Sequence, residues 1–323
     1  MEIFKYKKPF SLMAKSKKFG LLSLTLIILS LGIIFSKGFN YGIDFAGGTL
    51  IQVKYTNNAP IKDIRKSLSK SIDYKGSSVT YFGSDKEIII RTKKSSGKLG
   101  EDVAIKIKEA LKTTGEFEIR RVDMVGAKVG SELREQGLMA MLIAIIGILL
   151  YVSFRFEWRF AVASVMALLH DITITMGVLS LFSVELNLDI LAAILTILGY
   201  SLNDTIIVFD RIREGVKDIK TNDLGLIIDE SVSRTLSRTT LTSLTTFFVV
   251  FTLWMFGGEI IHGFGLTLLI GIIIGTYSSI FVASPLLMLL GFSVKDYKLK
   301  LAEKQKLTKE KEKMRAMYEN GVI

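Results

Sequence analysis

Hydrophobic residues fall along this chain in long blocks, not in the short alternating or helical-period runs of a water-soluble domain. The blocks lie at Phe19–Ser36, Leu138–Phe154, Phe160–Phe182, Leu188–Phe209, Thr239–Phe256 and Phe264–Gly291. A helix needs roughly 20 such residues to cross about 30 Å of hydrocarbon. The pattern predicts six transmembrane helices, over 19–36, 137–154, 159–182, 188–210, 237–256 and 264–291. The first block follows Lys15, Lys17 and Lys18, as in a signal peptide. It runs long and lacks an A-x-A cleavage site, so a retained anchor is expected.

The polar stretch from 37 to 136 has a different rhythm. Gly48–Tyr55 alternates like a strand. Ile61–Ile72 places Ile61, Ile64, Leu68 and Ile72 at helical spacing, with Pro60 just before it. Ser78–Phe82 and Glu87–Lys93 read as strands around a Gly83–Lys86 turn. Leu99–Thr114 is helical in period, through Val103, Ile105, Ile107 and Leu111, and Glu116–Val125 is a last strand. The order β-α-β-β-α-β is that of a ferredoxin-like α+β domain. No catalytic constellation stands out in it, so binding, bracing or swinging is the expected work. The expected fold is thus membrane α-helical, with six transmembrane helices and an extracytoplasmic ferredoxin-like α+β domain between the first and second. Residues 211–236 form a connecting loop, in which Leu224, Ile227, Ile228 and Val232 predict a short amphipathic helix on the membrane surface. The segment 292–323 is a basic tail, helix-prone or disordered.

Charge sets the orientation. The net charge of +11 suggests nucleic acid only until its distribution is read. Ser183–Asn187 and Gly257–Gly263 carry no Lys or Arg. Arg155, Arg159, Arg211, Arg213, Lys217, Lys220, Arg234 and Arg238 lie at the other ends of the spans. The tail and the N-terminal segment 1–18, with Lys5, Lys7 and Lys8, join them on the same side. Positive charge in short segments marks the cytoplasmic side, so both termini are expected there and no nucleic acid is implied. The chain has no cysteine, which excludes disulfides and thiolate metal sites, and only three prolines, which leaves the helices mostly unbroken. No cofactor and no metal site are expected.

Candidate chemistry lies where charge meets lipid. A carboxylate at mid-bilayer costs at least about 2.5–3.5 kcal/mol, so it usually faces protein or water and has a task. Asp204 sits in the fourth span within a polar patch of Ser201, Asn203 and Thr205, and the apolar run Ile206–Phe209 follows it. Arg238 opens the fifth span and reads either as an arginine snorkelling to the headgroups or as a partner near Asp204. His170-Asp171 in the third span reads equally as a proton relay or as a structural polar knot. His262 reads as an ordinary loop residue. Gly271 and Gly275, four apart in the last span, suit close helix packing. A Ser201–His170 protease dyad has no further supporting pattern. No P-loop motif is present in the sequence, so energy comes from a gradient or a partner, or is not needed. The residues alone reach a proton-coupled membrane protein of unknown cargo that is not an enzyme.

Several segments then carry a specific likeness. Tyr41–Thr49 (YGIDFAGGT), Phe154–Arg159 (FRFEWR), Leu169–Asp171 (LHD), Gly199–Glu214 (GYSLNDTIIVFDRIRE), Arg238–Thr246 (RTTLTSLTT) and Phe256-Gly257-Gly258 resemble the SecF family, in order and with the family's spacing. The likeness spans nearly the whole chain. It implies the smaller subunit of SecDF, in the resistance–nodulation–division superfamily, in the bacterial inner membrane. It implies SecD as partner, beside the SecYEG channel and YajC. Proton flow would there help to draw unfolded preproteins outward after SecA has pushed them. The family's membrane aspartate falls on Asp204 and its arginine on Arg238. Asp44 and Gly47-Gly48 match its DF-x-GG signature, read as a structural junction. A non-transporting scaffold of the translocon, or a small-molecule or lipid exporter of the same superfamily, stands as the alternative.

Overall fold

The computed structural model of the protein describes residues 9–70, 74–92 and 100–319. Lys5, Lys7, Lys8, Ile72, Lys93 and Leu99 of the sequence reading lie outside them, as does the side chain of Val103. Among the described residues, six helices are long and apolar enough to cross a membrane. The first is α1 (Ser16–Lys37), preceded by a turn of 3-10 helix at Met13–Lys15. After it come a short strand β1 (Asn40–Tyr41), a one-turn helix α2 (Ile43–Ala46), and the domain elements β2 (Gly48–Tyr55), α3 (Ile61–Lys70), β3 (Ser78–Phe82), β4 (Ser84–Thr92), α4 (Gly100–Leu111) and β5 (Phe117–Val125).

The four strands β2 to β5 form an antiparallel sheet in the order β3-β4-β2-β5. That order is the split-βαβ arrangement expected for this pattern. Ile51 and Val53 of β2 and Ile88 and Ile90 of β4 point to one face. They are buried there against Ile64 and Leu68 of α3 and Ile107 and Leu111 of α4. The alternation of β2 and the helical spacing of α3 and α4 thus meet in a single core. One local expectation changes. The turn after β3 is Gly83 alone, at φ +70°, and β4 begins at Ser84. The expected Gly83–Lys86 turn is shorter because glycine tolerates the left-handed backbone a tight reversal needs.

The remaining helices are α5 (Ala127–Arg155), α6 (Trp158–Leu181), α7 (Leu188–Asp218), α8 (Leu224–Phe256) and α9 (Glu259–Ser278). A π-helical step at Ser279–Ala283, α10 (Ser284–Leu289) and the tail helix α11 (Val294–Glu319) follow. The π step precedes Pro285, which has no N–H to continue the ladder, and the Ser284 hydroxyl donates to the Ser279 carbonyl at 3.1 Å. Helix α9 is central and packs on α6, α7 and α8, while α1 packs on α6 and α5 on α6. Gly271 and Gly275 allow the closest approach. A Cβ at Gly271 would fall 2.3 Å from Ile197, and one at Gly275 3.0 Å from Ser201, both on α7. Helices α1 and α5 expose Ile28, Leu29, Phe35, Ile143, Ile146 and Phe154 on their outer faces.

Several helices overrun their predicted spans. The residues 127–136, assigned to the external domain, are the first turns of α5. Likewise 211–218 continue α7, and α9 begins before 264. The amphipathic segment 222–236 is not a separate surface helix. It is the start of α8, because no glycine or proline interrupts 226–256. Asp223 caps it, accepting from the amides of Gly225 (2.8 Å) and Leu226 (3.3 Å). Ile227, Ile228 and Val232 are fully buried against Phe209, Ile212 and Val216 of α7. Their apolar face therefore meets protein instead of a bilayer surface.

Candidate functional site

A layer of buried polar side chains crosses the bundle where α6, α7, α8 and α9 meet. Asp204 lies on α7 and is 1% exposed. Its Oδ2 accepts from the Ser243 hydroxyl of α8 at 3.2 Å. The Thr276 hydroxyl of α9 lies 2.9 Å from Ser243 Oγ and 2.7 Å from its own helix carbonyl at Ile272. A hydroxyl has one proton. Thr276 can therefore serve either Ser243 or Ile272 at a given moment. Among the described residues no Lys, Arg or His is ion-paired with Asp204.

The expected approach of Arg238 to Asp204 does not occur. Asp204 is level with Ser243, five residues (238 to 243) beyond Arg238 on α8. That is about 7.5 Å along the axis and about 140° around it. Arg238 is exposed, on the same outer stripe as Thr242 and Thr245, which are also exposed. Asn203 is exposed too and so faces away from its neighbour Asp204. Successive helical residues are about 100° apart, so a polar patch contiguous in sequence is split between two faces. Thr205 is buried and donates to the Ser201 carbonyl at 3.0 Å.

The second cluster centres on Asp171 of α6, also 1% exposed. Its Oδ1 lies 2.9 Å from His170 Nδ1. Its Oδ2 accepts from Ser201 of α7 at 2.5 Å and from Ser278 of α9 at 2.8 Å. His170 is buried, stacks beside Tyr277 at 6.1 Å between ring centroids, and leaves Nε2 without a partner among the described residues. Tyr277 donates in turn to the Phe19 carbonyl of α1 at 2.9 Å. Ser201 and His170 thus meet only through Asp171, which is no protease dyad. His262 accepts from the Trp254 indole N–H at 3.0 Å. No group of residues among those described could hold a metal ion.

Ser243, Thr276 and Ser278 were not singled out in the sequence. Ser243 lies inside the Thr- and Ser-rich start of the fifth span, which was the available signal. Thr276 and Ser278 lie among glycines that read only as packing residues. Two charged groups at the ends of α7 were also missed in that role. Asp44 Oδ2 accepts the first amide of α7, Leu188 N–H, at 3.0 Å. The Lys298 ammonium of α11 donates to the Ile219 and Thr221 carbonyls, at 3.1 and 3.0 Å, just past the other end. Both charges complement the helix dipole.

The chain as a whole is similar to known proteins. Residues 106–296 match the family described as "Protein export membrane protein SecD/SecF, C-terminal", and 32–59 match the "SecD/SecF GG Motif". The protein translocase subunit SecF of Helicobacter pylori is 50% identical over 323 residues, covering 100% of both chains. That of Vibrio alginolyticus is 48% identical over 295 residues, covering 90% of this chain and 92% of its own. Among solved structures, SecDF from Thermus thermophilus, titled a translocon-associated membrane protein, superposes with a TM-score of 0.81 at 35% identity. The match covers 89% of this chain and 39% of that one, so this chain spans about two fifths of the SecDF polypeptide. With six membrane-crossing helices, the ferredoxin-like domain after the first and SecF relatives over its full length, the chain is a multi-pass membrane protein of the SecD/SecF family of protein-export proteins.

Proposed function

We propose that this chain is the SecF half of a SecD–SecF complex, and that it uses proton flow through Asp204 to assist preprotein translocation through the SecYEG channel. The observation that carries the reading is a buried carboxylate in the middle of a transmembrane helix, held by hydroxyls and, among the described residues, by no cation. Such a group can be neutralised without leaving a cation stranded. The ionised Asp204 accepts from Ser243, which accepts from Thr276. The protonated acid becomes a donor to Ser243, and Thr276 turns back to the Ile272 carbonyl. One proton therefore reverses the donor direction along Asp204, Ser243 and Thr276 and replaces a charge-assisted tie across α7, α8 and α9 with a weaker neutral one, which eases a shift of the helices. A charge crossing 100 mV supplies about 2.3 kcal/mol, enough to bias one such step.

Arg238, Thr242 and Thr245 of α8, and Thr196 and Asn203 of α7, are exposed polar residues on membrane-crossing helices. The threonine hydroxyls are satisfied by carbonyls of their own helices, but in hydrocarbon Arg238 and Asn203 need a partner, and the SecD half is the one the SecDF likeness supplies. Arg238 then meets a SecD group, or headgroups, in place of Asp204. The positive charge at the termini side supports a topology with both termini in the cytoplasm and the ferredoxin-like domain outside. YajC, and SecA acting through the channel, complete the expected assembly.

The test is proton uptake by vesicles holding the SecD–SecF pair under an imposed pH gradient. Asp204→Asn is expected to abolish the uptake carried by the complex. Unchanged uptake would place the proton path elsewhere and favour a scaffold.

A further inference from the structure

The segment between α1 and β2 is bound to the turn between α6 and α7 by a dense set of polar ties. Gly42 N–H donates to the Leu186 carbonyl at 2.8 Å. Asn40 and Tyr41 pair in parallel with Glu185 and Leu186, which form β6 (Glu185–Leu186). The Ser180 hydroxyl donates to the Gly38 carbonyl at 2.6 Å, and Arg91 of β4 is ion-paired with Glu185. Asp44 completes the set by accepting Leu188 N–H.

The same segment is wedged from its other side. At Gly47, with φ +70°, a Cβ would fall 2.6 Å from Ala127 Cα at the start of α5. A Cβ at Gly130 of α5 would fall 2.8 Å from Gly47 N. Gly47 leads directly into β2, a central strand of the sheet, and its neighbour β5 runs through Gly126 into α5. The external domain is thus rooted in the membrane through two adjacent strands, and both roots meet at the N-terminal end of α7.

From this geometry we infer that Asp44 is a positioning residue that fastens the domain-side end of α7 to the root of β2, so that displacement of α7 at Asp204 is passed to the external domain. The inference rests on the reading of Asp204 as the proton site. Sixteen residues (188 to 204) separate the two points, about 24 Å of continuous helix. A helix carries axial displacement along its hydrogen-bonded length, and a slack loop at its end would absorb it. The carboxylate fixes that end with a charge-assisted bond to an amide that otherwise has no intrahelical partner. In this account the joint stays closed through the cycle and motion occurs around it.

The experiment uses the complete SecD–SecF complex with the channel in vesicles, reading proton uptake and gradient-driven preprotein translocation in parallel. Asp44→Ala is expected to keep proton uptake and to lose most of the gradient-driven translocation. The chain has no cysteine, so a disulfide between Tyr41→Cys and Leu186→Cys can be introduced cleanly. Paired Cα positions on neighbouring strands are within disulfide reach. Oxidation is expected to restore translocation to Asp44→Ala and to leave the otherwise unchanged protein active, and reduction should remove the rescue. If Asp44→Ala does not assemble, Asp44→Asn with the same disulfide is read in its place. The inference is overturned if Asp44→Ala lowers uptake and translocation in the same proportion or lowers neither. It is equally overturned if oxidation stops translocation in the protein with Asp44 intact, because the joint must then open. If instead Asp204→Asn retains proton uptake, the reading of Asp204 fails, and the disulfide rescue still decides the joint.

Discussion

Asp171 and Asp204 are equally buried and stand on neighbouring helices, yet they are held in opposite ways. Asp171 has an imidazole on one oxygen and two serine hydroxyls on the other. Its partners come from α6, α7 and α9, and its acceptor capacity as a carboxylate is well used. Asp204 has the Ser243 hydroxyl at 3.2 Å, with Thr276 beside it, whose own hydroxyl can turn to its helix carbonyl instead. A fully hydrogen-bonded buried charge rigidifies its surroundings. A sparsely bonded one can change state at lower cost. The contrast supports our proposal that the pair His170-Asp171 holds the bundle together and that Asp204 is the group that changes state.

The largest expected effect follows from breaking the saturated site. Asp171→Ala leaves the hydroxyls of Ser201 and Ser278 and the imidazole without their acceptor inside the bundle. Removing one member of a buried charged network costs about 3–5 kcal/mol. The protein should fail to accumulate, or should unfold at a much lower temperature in detergent. Asp204→Asn keeps an amide oxygen for Ser243 and should fold like the parent, within about 1 kcal/mol. Equal loss of stability in both would erase the contrast.

Next is the packing that brings both sites onto α9. Gly271→Val drives a side chain into Ile197 of α7, and overpacking of this kind costs about 1–3 kcal/mol. Thermal unfolding reads that cost directly. Gradient-driven translocation should fall with it, because Ser278 and Thr276 are carried on the displaced helix.

A smaller effect sharpens the assignment of Asp204. Ser243→Ala removes its donor at a cost of about 1 kcal/mol in stability. It should depress gradient-driven translocation far more than stability, whereas Ser243→Thr, which keeps a hydroxyl, should recover it. Equal activity of the alanine and threonine variants would remove the hydroxyl chain from the mechanism.

The smallest effect concerns a carboxylate outside the bundle. Burial pushes Glu185 above the usual carboxylate range, against the opposing pull of Arg91, with Asp44 adding to the rise. Between its ordinary value and its raised one, the folded state then holds more protons than the unfolded state. Its contribution to stability is full below the ordinary value and is lost as pH rises through the raised one. Mild acidification from neutral pH should therefore raise the unfolding temperature slightly, and Glu185→Gln should remove that increment.

The parts of this molecule legible in its sequence are those that depend on one segment at a time. Long apolar blocks declare spans, and alternation against helical spacing declares the ferredoxin-like domain, because each follows from the geometry of a single element. Asp204 was visible because a carboxylate before Ile206–Phe209 is costly wherever the helix points. Its partner was not visible, since proximity in the bundle depends on the rotation of α8, and five residues along that helix replaced Arg238 with Ser243. The extent of α8 was misread because an amphipathic stretch looks the same whether its apolar face meets lipid or α7. Asp44 was recognised by motif and not by contact, because its partner Leu188 lies across the fold and contributes only a backbone amide. No side-chain pattern records that kind of bond, and the same holds for Lys298 at the opposite end of α7.

The most direct measurement is preprotein translocation into vesicles holding this protein, SecD and the channel, with and without an imposed proton gradient, comparing the parent with Asp204→Asn at matched protein levels. The account predicts that the mutant keeps the basal ATP-driven rate and loses the gradient-dependent increment. Survival of that increment in the mutant would contradict it.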